Sequence, residues 1–348
     1  MGRIAMVALM ALMSFMIETV QGRDFTFALT GDVMMGTDYP ESSRGKYLPV
    51  HDGRYLLKDV DSLLRTADVA AINLEGTVFD EGGKPKECKD STLCYIFRTP
   101  SRYLTNLVNS GVDLVSIANN HVNDFGKEGI DLTMKNLRDA GISYAGMRSS
   151  APSVIIERAG KRIGFAAFAH NRGTLNIMDM EEVRRVINEL KDSADIVLVS
   201  FHGGGEGAKY TRVPHTMEAC FGEKRGDVEK FAHAAIDAGA DVVFGHGPHV
   251  TRAMEIYRDR LIMYSLGNFC TPYRVNLKGI NGHAPLVTVK VDDSGRFTGG
   301  KIYPFVQSRG VGPREDKTGA VIRQIRRLSM LDFPDSPLKI SVDGTLSR

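Results

Sequence analysis

The chain has 348 residues, with 44 Lys and Arg against 42 Asp and Glu and a hydrophobic fraction of 43%. This length allows one large domain or two modest ones, and the composition is typical of a globular protein with a hydrophobic core. The nearly balanced charge gives no bulk attraction to nucleic acid, so no nucleic-acid partner is expected.

The first 22 residues differ from the rest of the chain. Arg3 precedes an apolar run over residues 4–16 that ends before Glu18, and Gly22 fits a small-residue cleavage site. This pattern predicts a signal peptide. An uncleaved membrane anchor is the alternative, because the run approaches the roughly 20 residues that a spanning helix needs. Either reading places the folded part outside the cytoplasm, in the periplasm, in the extracellular space or facing outward from a membrane.

Short apolar runs, each followed by polar residues, recur along the chain. Continuous apolar runs bounded by Gly are typical of fully buried sheet strands. Apolar residues at helical spacing fill the segments between them. Strands are predicted at 25–30, 69–72, 112–118, 162–169, 196–201, 241–244 and 261–265, and helices at 58–66, 126–140, 181–190 and 228–238. The alternation of strand and helix predicts an α/β fold.

The pattern changes after Asn268. Residues 284–291 and 296–305 read as two antiparallel strands joined by a turn at 292–295. From about residue 310 we expect a peripheral helix near 319–330 and a loose tail. The predicted organisation is therefore an export segment at 1–22, a main domain at 23–309 and a C-terminal helix and tail at 310–348.

The four cysteines form an even set, which permits disulfides in an exported protein. Cys88 and Cys94 bound a short polar loop, so a local bridge between them is predicted. Pairing of Cys220 with Cys270 follows only from the even count. No CxxC spacing occurs, which argues against a cysteine zinc site.

Residues with metal-ligating side chains directly follow several of the predicted strands. In open α/β sheets, ligands collect at the carboxyl ends of the strands. The residues at those ends combine carboxylates, an amide and imidazoles, a set that suits Mn²⁺, Fe²⁺ or Zn²⁺ better than Ca²⁺. The predicted ligands of one or two such ions are Asp32, Glu75, Asn120, His202, His246 and His249.

His121 follows Asn120 directly and would project beside the metal. An imidazole there could protonate a leaving group, and Asp124 could fix its tautomer. We therefore predict His121 and Asp124 as the catalytic pair. Residues predicted to contact substrate or support the site are Asn73, Asn119, Asn268, His170 and Arg172.

Six ordered blocks resemble the CapA-type capsule-synthesis proteins, relatives of the calcineurin-like metallophosphoesterases. The blocks are 29–36 (LTGDVMMG), 73–76 (NLEG), 118–121 (ANNH), 201–204 (FHGG), 245–250 (GHGPHV) and 264–269 (YSLGNF). The resemblance implies a four-layer α/β/β/α sandwich with a metal centre at the sheet edges. It also implies a role in making, anchoring or trimming an anionic surface polymer such as poly-γ-glutamate, or in acting on a phosphorylated substrate, beside membrane-bound synthesis partners.

The sequence departs from the phosphoesterase pattern in its ligand blocks. Met34 occupies the place of a His ligand, Glu75 stands in a block that usually carries two aspartates, and Asp124 is displaced from its usual position. Two alternatives follow for the metal: one tightly bound ion with a weaker second, or a full pair. Two follow for the function: a metal-dependent hydrolase, or a non-catalytic accessory subunit of a polymer synthesis or export complex.

Overall fold

The computed structural model describes residues 23–43, 45–88 and 94–348. The predicted signal peptide or anchor at 1–22 lies outside these residues. Within the described ranges, no helix combines the length and the apolar character that crossing a bilayer requires.

The five predicted helices are present within a few residues of their expected bounds, and the structure adds a short helix at 104–109. Those of the described residues are α1 (Asp61–Thr66), α2 (Leu104–Asn109), α3 (Gly126–Asp139), α4 (Met180–Lys191), α5 (Val228–Asp237) and α6 (Ala320–Asp332). Helices α4 and α5 begin at an aspartate N-cap whose carboxylate accepts a hydrogen bond from the backbone three residues on, at Asp179 and Asp227.

The strands are mostly short and buried. In the first half of the chain they are β1 (Phe25–Val33), β2 (Val69–Leu74), β3 (Thr77–Val78), β4 (Arg98–Thr99), β5 (Leu114–Ser116), β6 (Ser143–Ala145), β7 (Ser153–Arg158), β8 (Lys161–Ala169) and β9 (Leu175–Asn176). Those that follow are β10 (Ile196–His202), β11 (Glu218–Cys220), β12 (Glu223–Gly226), β13 (Val242–His246), β14 (Met254–Tyr257), β15 (Arg260–Met263), β16 (Asn268–Cys270), β17 (Leu286–Val291), β18 (Phe297–Tyr303), β19 (Phe305–Ser308), β20 (Val311–Glu315), β21 (Lys339–Ile340) and β22 (Thr345–Ser347).

Two large sheets form the centre of the molecule. The first has the order β21-β22-β18-β17-β1-β2-β5-β6, with β16 also pairing with β1. The second has the order β14-β15-β13-β10-β8-β7, with β9 pairing with β8. The central strands β1, β2 and β5 run parallel in the first sheet, and β8, β10, β13 and β15 run parallel in the second.

The side chains between and outside the sheets define four layers. Phe27 and Leu29 of the first sheet share a core with Phe165 and Leu198 of the second. The alternate residues of the first sheet pack against α1, α2 and α3, and those of the second against α4 and α5. The predicted α/β/β/α sandwich is confirmed.

The C-terminal region differs in part from its prediction. The antiparallel pairing of β17 with β18 is confirmed, and α6 lies where a helix was expected. The tail that we expected to be loose instead forms β21 and β22, which extend the first sheet through β18. Backbone pairing with an existing sheet edge stabilises a segment that has too few apolar residues to signal a strand.

An aspartate precedes each of four parallel strands and binds the start of the neighbouring strand. Its backbone N–H donates to a carbonyl of that strand, and its carboxylate accepts the N–H of the same residue at 2.8–2.9 Å. We call these residues the aspartate clamps: Asp68 on Thr26, Asp113 on Ala70, Asp195 on Arg162 and Asp241 on Val197. They fix the register of adjacent strands at their amino ends.

The predicted Cys88–Cys94 disulfide is present. Cys220 and Cys270 are both buried free thiols, so the pairing suggested by the even count does not occur. Burial raises the pKa of the Cys270 thiol to about 12, which leaves it protonated and unreactive at neutral pH.

Candidate metal centre

Three of the predicted ligands converge where the carboxyl edges of the two sheets meet. Asp32 lies near the end of β1, Glu75 directly follows β2, and His202 ends β10. Each offers one ligand atom, and these atoms lie within 4.8 Å of one another. All three side chains are buried. The first sheet therefore supplies the carboxylates and the second sheet supplies the imidazole.

Strand register explains this convergence. Asp32 is level with Asn73 on β2 and with Asn268 on β16, while His202 on β10 is level with His246 on β13. Gly31 allows β16 to come close, because a Cβ at this position would lie 1.9 Å from the Gly267 carbonyl oxygen. The glycine in the GD dipeptide thus serves a close approach of two backbone segments.

His246 and His249 both lie against Asp32. The Nδ1 atom of His249 is 2.8 Å from one carboxylate oxygen, and that of His246 is 3.3 Å from the other. The His246 geometry is not that of a hydrogen bond, and neither of its ring nitrogens has a hydrogen-bond partner among the described residues. Asp32 is therefore the common neighbour of the two histidines of the GHGPH segment.

Two asparagine amides hold the carboxylates in place. The Nδ2 group of Asn73 donates to Asp32 at 2.8 Å and to Glu75 at 2.6 Å. Asn119 in turn donates to the Asn73 side-chain oxygen at 3.1 Å and to the Leu74 carbonyl at 2.7 Å. Asn73 and Asn119 thus orient the candidate ligands through hydrogen bonds, as outer partners commonly do in metal sites.

The burial of these groups sets their protonation. Burial, reinforced by the charge of Asp32, raises the pKa of Glu75 well above its usual range. Burial would also raise the pKa of Asp32, but His246 and His249 bring it well below its usual range. Burial lowers the pKa of His202 well below its ordinary value, so its imidazole is neutral and suited to metal ligation.

His249 has the opposite behaviour. Its burial would lower its pKa, yet the hydrogen bond to Asp32 and the charge of that carboxylate raise the pKa to about 10. Its backbone has a φ of 55°, an uncommon conformation for a residue other than glycine. This conformation directs the side chain toward Asp32.

The unsatisfied polar atoms at this position test whether a metal ion fits. Both ring nitrogens of His202 and of His246, and the Oε1 atom of Glu75, are buried without a hydrogen-bond partner among the described residues. Buried polar atoms nearly always have a hydrogen-bond partner or a metal ion as a neighbour. Several unpaired nitrogen and oxygen atoms at one point therefore indicate that a bound group belongs there. A borderline divalent ion of the Mn²⁺, Fe²⁺ or Zn²⁺ type matches this mixture of imidazole and carboxylate.

The predicted catalytic pair is in contact. The Nδ1 atom of His121 lies 2.8 Å from Asp124 Oδ2, which also accepts the backbone N–H of Phe97 at 2.7 Å. The Phe97 ring packs on the His121 ring with a centroid separation of 4.3 Å. The Lys86 ammonium lies 2.6 Å from the other oxygen of Asp124. His121 is thereby held in one orientation with its Nε2 atom available.

The remaining predicted residues occupy varied positions. Asn120 is partly exposed, and its Oδ1 atom has no hydrogen-bond partner within the described ranges. Asn268 donates to the carbonyls of His249 and Asn281, and thereby supports the GHGPH segment. Arg172 is exposed, and its carbonyl accepts a hydrogen bond from the Asn123 side chain. The roles of Asn120 as a ligand and of Arg172 in substrate binding stay predictions.

His170 lies beside the centre. Its ring is 6.3 Å from that of His202, and neither of its nitrogens has a hydrogen-bond partner within the described ranges. Burial and the nearby Arg225 lower its pKa to about 4. Arg225 forms ion pairs with Glu206 at 2.7 Å and Glu223 at 3.2 Å. The nearest carboxylate to its Nε2 atom is Glu223 at 3.7 Å, and its role in substrate binding stays a prediction.

Sequence reasoning missed the residues that support His121. Lys86 lies in the polar segment before Cys88, which reads as a surface loop, and Phe97 lies in a segment without a motif. Nothing in the local pattern of either residue indicates contact with a catalytic histidine. The ion pair between Lys86 and Asp124 joins two loops that are distant in the chain, so it becomes visible only in the folded structure.

Comparison with solved structures supports the fold. The structure resembles a crystal structure described as a novel phosphatase from Mycoplasma pneumoniae, with a TM-score of 0.51 and 15% identity over 82% of this chain and 95% of that one. It also resembles a hypothetical protein from Thermus thermophilus, with a TM-score of 0.50 and 16% identity over 81% of this chain and 100% of that one. The fold is therefore that of the metallo-dependent phosphatases.

Sequence comparison gives the family. Residues 26–273 match the model of the bacterial capsule synthesis protein PGA_cap, and the chain belongs to this family. The capsule biosynthesis protein CapA of Bacillus anthracis is 26% identical over 72% of this chain and 60% of its own length. The PGA biosynthesis protein CapA of Bacillus subtilis is 28% identical over 73% of this chain and 65% of its own. The predicted resemblance is confirmed.

A mycobacterial relative carries a different description. A Mycobacterium tuberculosis protein named "Probable polyglutamine synthesis accessory protein" is 32% identical over 62% of this chain and 58% of its own length. The chain thus spans less than two thirds of the length of each of these three relatives.

Proposed function

We propose that this protein is a metal-dependent hydrolase that processes an anionic polymer at the cell surface. The observation that carries the proposal is the convergence of Asp32, Glu75 and His202, with orphaned donor atoms, at one point in the fold. The membership in a capsule synthesis family supports the substrate class. The predicted export segment at 1–22 agrees with action outside the cytoplasm.

The residues around the centre suggest a division of labour. A bound divalent ion would acidify water and polarise the scissile bond. Asp32, Glu75, His202 and His246 would hold it. The imidazolium form of His121 would donate its Nε2 proton to the leaving group and become neutral, while Asp124 accepts the Nδ1 hydrogen bond, orients the ring and compensates the positive charge before the transfer. Lys86 and the Phe97 N–H keep Asp124 in place.

A second candidate function is a non-catalytic accessory role in polymer synthesis or export. Met34 favours it, since this buried thioether stands where the broader phosphoesterase pattern has a histidine ligand. The Asn73 amide, which donates to both carboxylates, also occupies space between them. The description of the mycobacterial relative as an accessory protein agrees with this alternative.

One experiment separates the two functions. The purified chain, loaded with Mn²⁺ or Zn²⁺, is assayed for turnover of a generic phosphodiester and of poly-γ-glutamate. Turnover that chelation abolishes and metal restores supports the hydrolase. Bound metal without turnover of either substrate contradicts the hydrolase and supports the accessory role.

A further inference from the structure

A row of aromatic rings leads from His121 to an arginine. The Phe97 ring contacts His121, and the Tyr95 ring lies 6.5 Å from that of Phe97. The Arg274 guanidinium lies 5.5 Å from the Tyr95 ring centroid and 5.2 Å from that of Tyr47. Arg274 therefore lies between two tyrosine rings at the far end of a path that begins at the catalytic pair.

Two cationic side chains lie at this end of the path. The Lys46 ammonium lies 5.5 Å from the Tyr47 ring centroid, so Tyr47 contacts two cations. Among the residues that the structure describes, no carboxylate forms an ion pair with Lys46 or Arg274. Burial alone would raise the pKa of Tyr47, yet this pKa is lowered because the two cations stabilise the phenolate.

The Arg274 side chain has unused donor capacity. One Nη2 bond reaches the Cys94 carbonyl at 3.2 Å, while the buried Nε has no partner within the described ranges. A guanidinium carries five N–H donors in a planar fork that matches a carboxylate. The guanidinium of Arg274 is thus placed against two aromatic rings with donors to spare.

The backbone ties Arg274 to the metal centre. Arg274 follows Asn268 by six residues, and Asn268 is level with Asp32 across the β16–β1 pair. The φ of Arg274 is 61°, a left-handed conformation that residues other than glycine rarely adopt. Such conformations cluster at binding sites, where the surrounding structure maintains them.

We propose that Tyr47, Tyr95 and Arg274 form a subsite for one carboxylate of an acidic peptide polymer. The guanidinium binds the carboxylate, the tyrosine rings cover the methylene groups of the side chain, and the bond to be cleaved lies farther along the path near His121. This proposal deepens the proposed function and rests on it for the identity of the cleaved chain.

Calorimetric binding of a short γ-linked oligoglutamate to the full chain tests the subsite. Arg274→Gln should weaken binding about tenfold, because it removes a charge-assisted contact, and should flatten the salt dependence. Arg274→Lys, which keeps the charge but loses the planar stack, should bind with an affinity between those of Arg274→Gln and the unmodified chain. Arg327→Gln, an exposed change of the same charge on α6, is the matched control and should bind like the unmodified chain. Metal content and melting temperature should match among all four proteins.

Two outcomes would overturn the subsite. One is equal affinity of Arg274→Gln and the unmodified chain. The other is binding of the uncharged γ-linked oligoglutamine as tight as that of oligoglutamate. Arg274-dependent binding of inorganic polyphosphate without binding of oligoglutamate would overturn the acidic-peptide assignment. Repeating the titration after chelation separates this test from that of the hydrolase: Arg274-dependent binding that persists without metal supports the subsite, whereas absence of turnover by the metal-loaded protein contradicts only the proposed catalysis.

Discussion

Buried carboxylates lie at both ends of the parallel strands, but their hydrogen bonding differs between the two ends. At the amino ends, the aspartate clamps are satisfied by a backbone N–H and by basic side chains; Asp241, for example, contacts Val197, Lys191 and Arg260. At the carboxyl ends, Glu75 and His202 are equally buried but retain atoms without partners among the described residues. Buried ionisable side chains whose hydrogen-bonding capacity is left open therefore indicate a site, whereas fully paired ones such as Asp241 indicate a structural role.

This difference predicts that substitutions at the carboxyl ends reduce activity and that substitutions at the amino ends reduce stability. Glu75→Gln should reduce hydrolysis by at least about 1,000-fold, because a ligand between the sheets is lost. The free energy of unfolding of the metal-free protein should stay the same or rise, because the charged form of Glu75 is disfavoured by burial and by Asp32. Turnover assays and urea denaturation in EDTA measure the two effects. A strongly destabilised Glu75→Gln protein would contradict the contrast.

His121→Ala should lower kcat about 100- to 10,000-fold, the usual range for a general acid, while the metal remains bound. Elemental analysis beside steady-state kinetics distinguishes this result from the loss of the metal. His215→Ala, which removes an exposed histidine that pairs only with Glu229 among the described residues, is the control and should keep full activity. Unchanged kcat for His121→Ala would remove the catalytic role.

Asp241→Asn should lower the stability of the protein and leave its metal binding intact, the opposite of the result expected for Glu75→Gln. The change leaves Lys191 and Arg260 without their carboxylate and weakens the contact to the Val197 N–H, so the free energy of unfolding should fall by about 3 kcal/mol. Metal content per folded molecule should not change. Chemical denaturation with a matched metal analysis checks both, and loss of metal from well-folded Asp241→Asn protein would show that the two ends are coupled.

Asp195→Asn should have the smallest effect, below about 1 kcal/mol, because this clamp is partly exposed and solvent screens its pair with Arg162. Hydrogen bonds from the Arg162 side chain and backbone lower the pKa of Asp195. Its contribution is therefore present above the ordinary aspartate pKa near 4 and is lost as pH falls through the lower folded value. Denaturation series at neutral and acidic pH should show the variant converging with the unmodified chain at the acid end; a difference that persists there would contradict this linkage.

The residues at the carboxyl ends of the strands could be predicted from the sequence. Apolar runs followed by Asp, Glu, Asn or His mark both the strands and the candidate site, so pattern alone predicted that Asp32, Glu75 and His202 would lie together. One assignment needed the fold: the run at 261–265 forms β15 of the second sheet, while Asn268 lies on β16 of the first. The chain crosses between sheets within four residues, and periodicity carries no signal for such a crossing.

The amino ends and the supporting loops could not be predicted in the same way. Asp113 and Asp241 were read as parts of strands, although an aspartate one residue before each parallel strand is a pattern that could be searched for. Lys86, Phe97 and Arg274 acquire their roles through contacts with residues far away in the chain. Such contacts depend on tertiary packing, which single-sequence patterns do not encode.

Metal analysis of the purified full chain tests the central claim most directly. The account predicts at least one divalent transition-metal ion per chain in the unmodified protein and in Asp241→Asn, and a large loss in Glu75→Gln and His202→Ala. An unmodified protein that binds no such ion, even after incubation with Mn²⁺ and Zn²⁺, would contradict the assignment of a metal centre to the carboxyl ends of the two sheets.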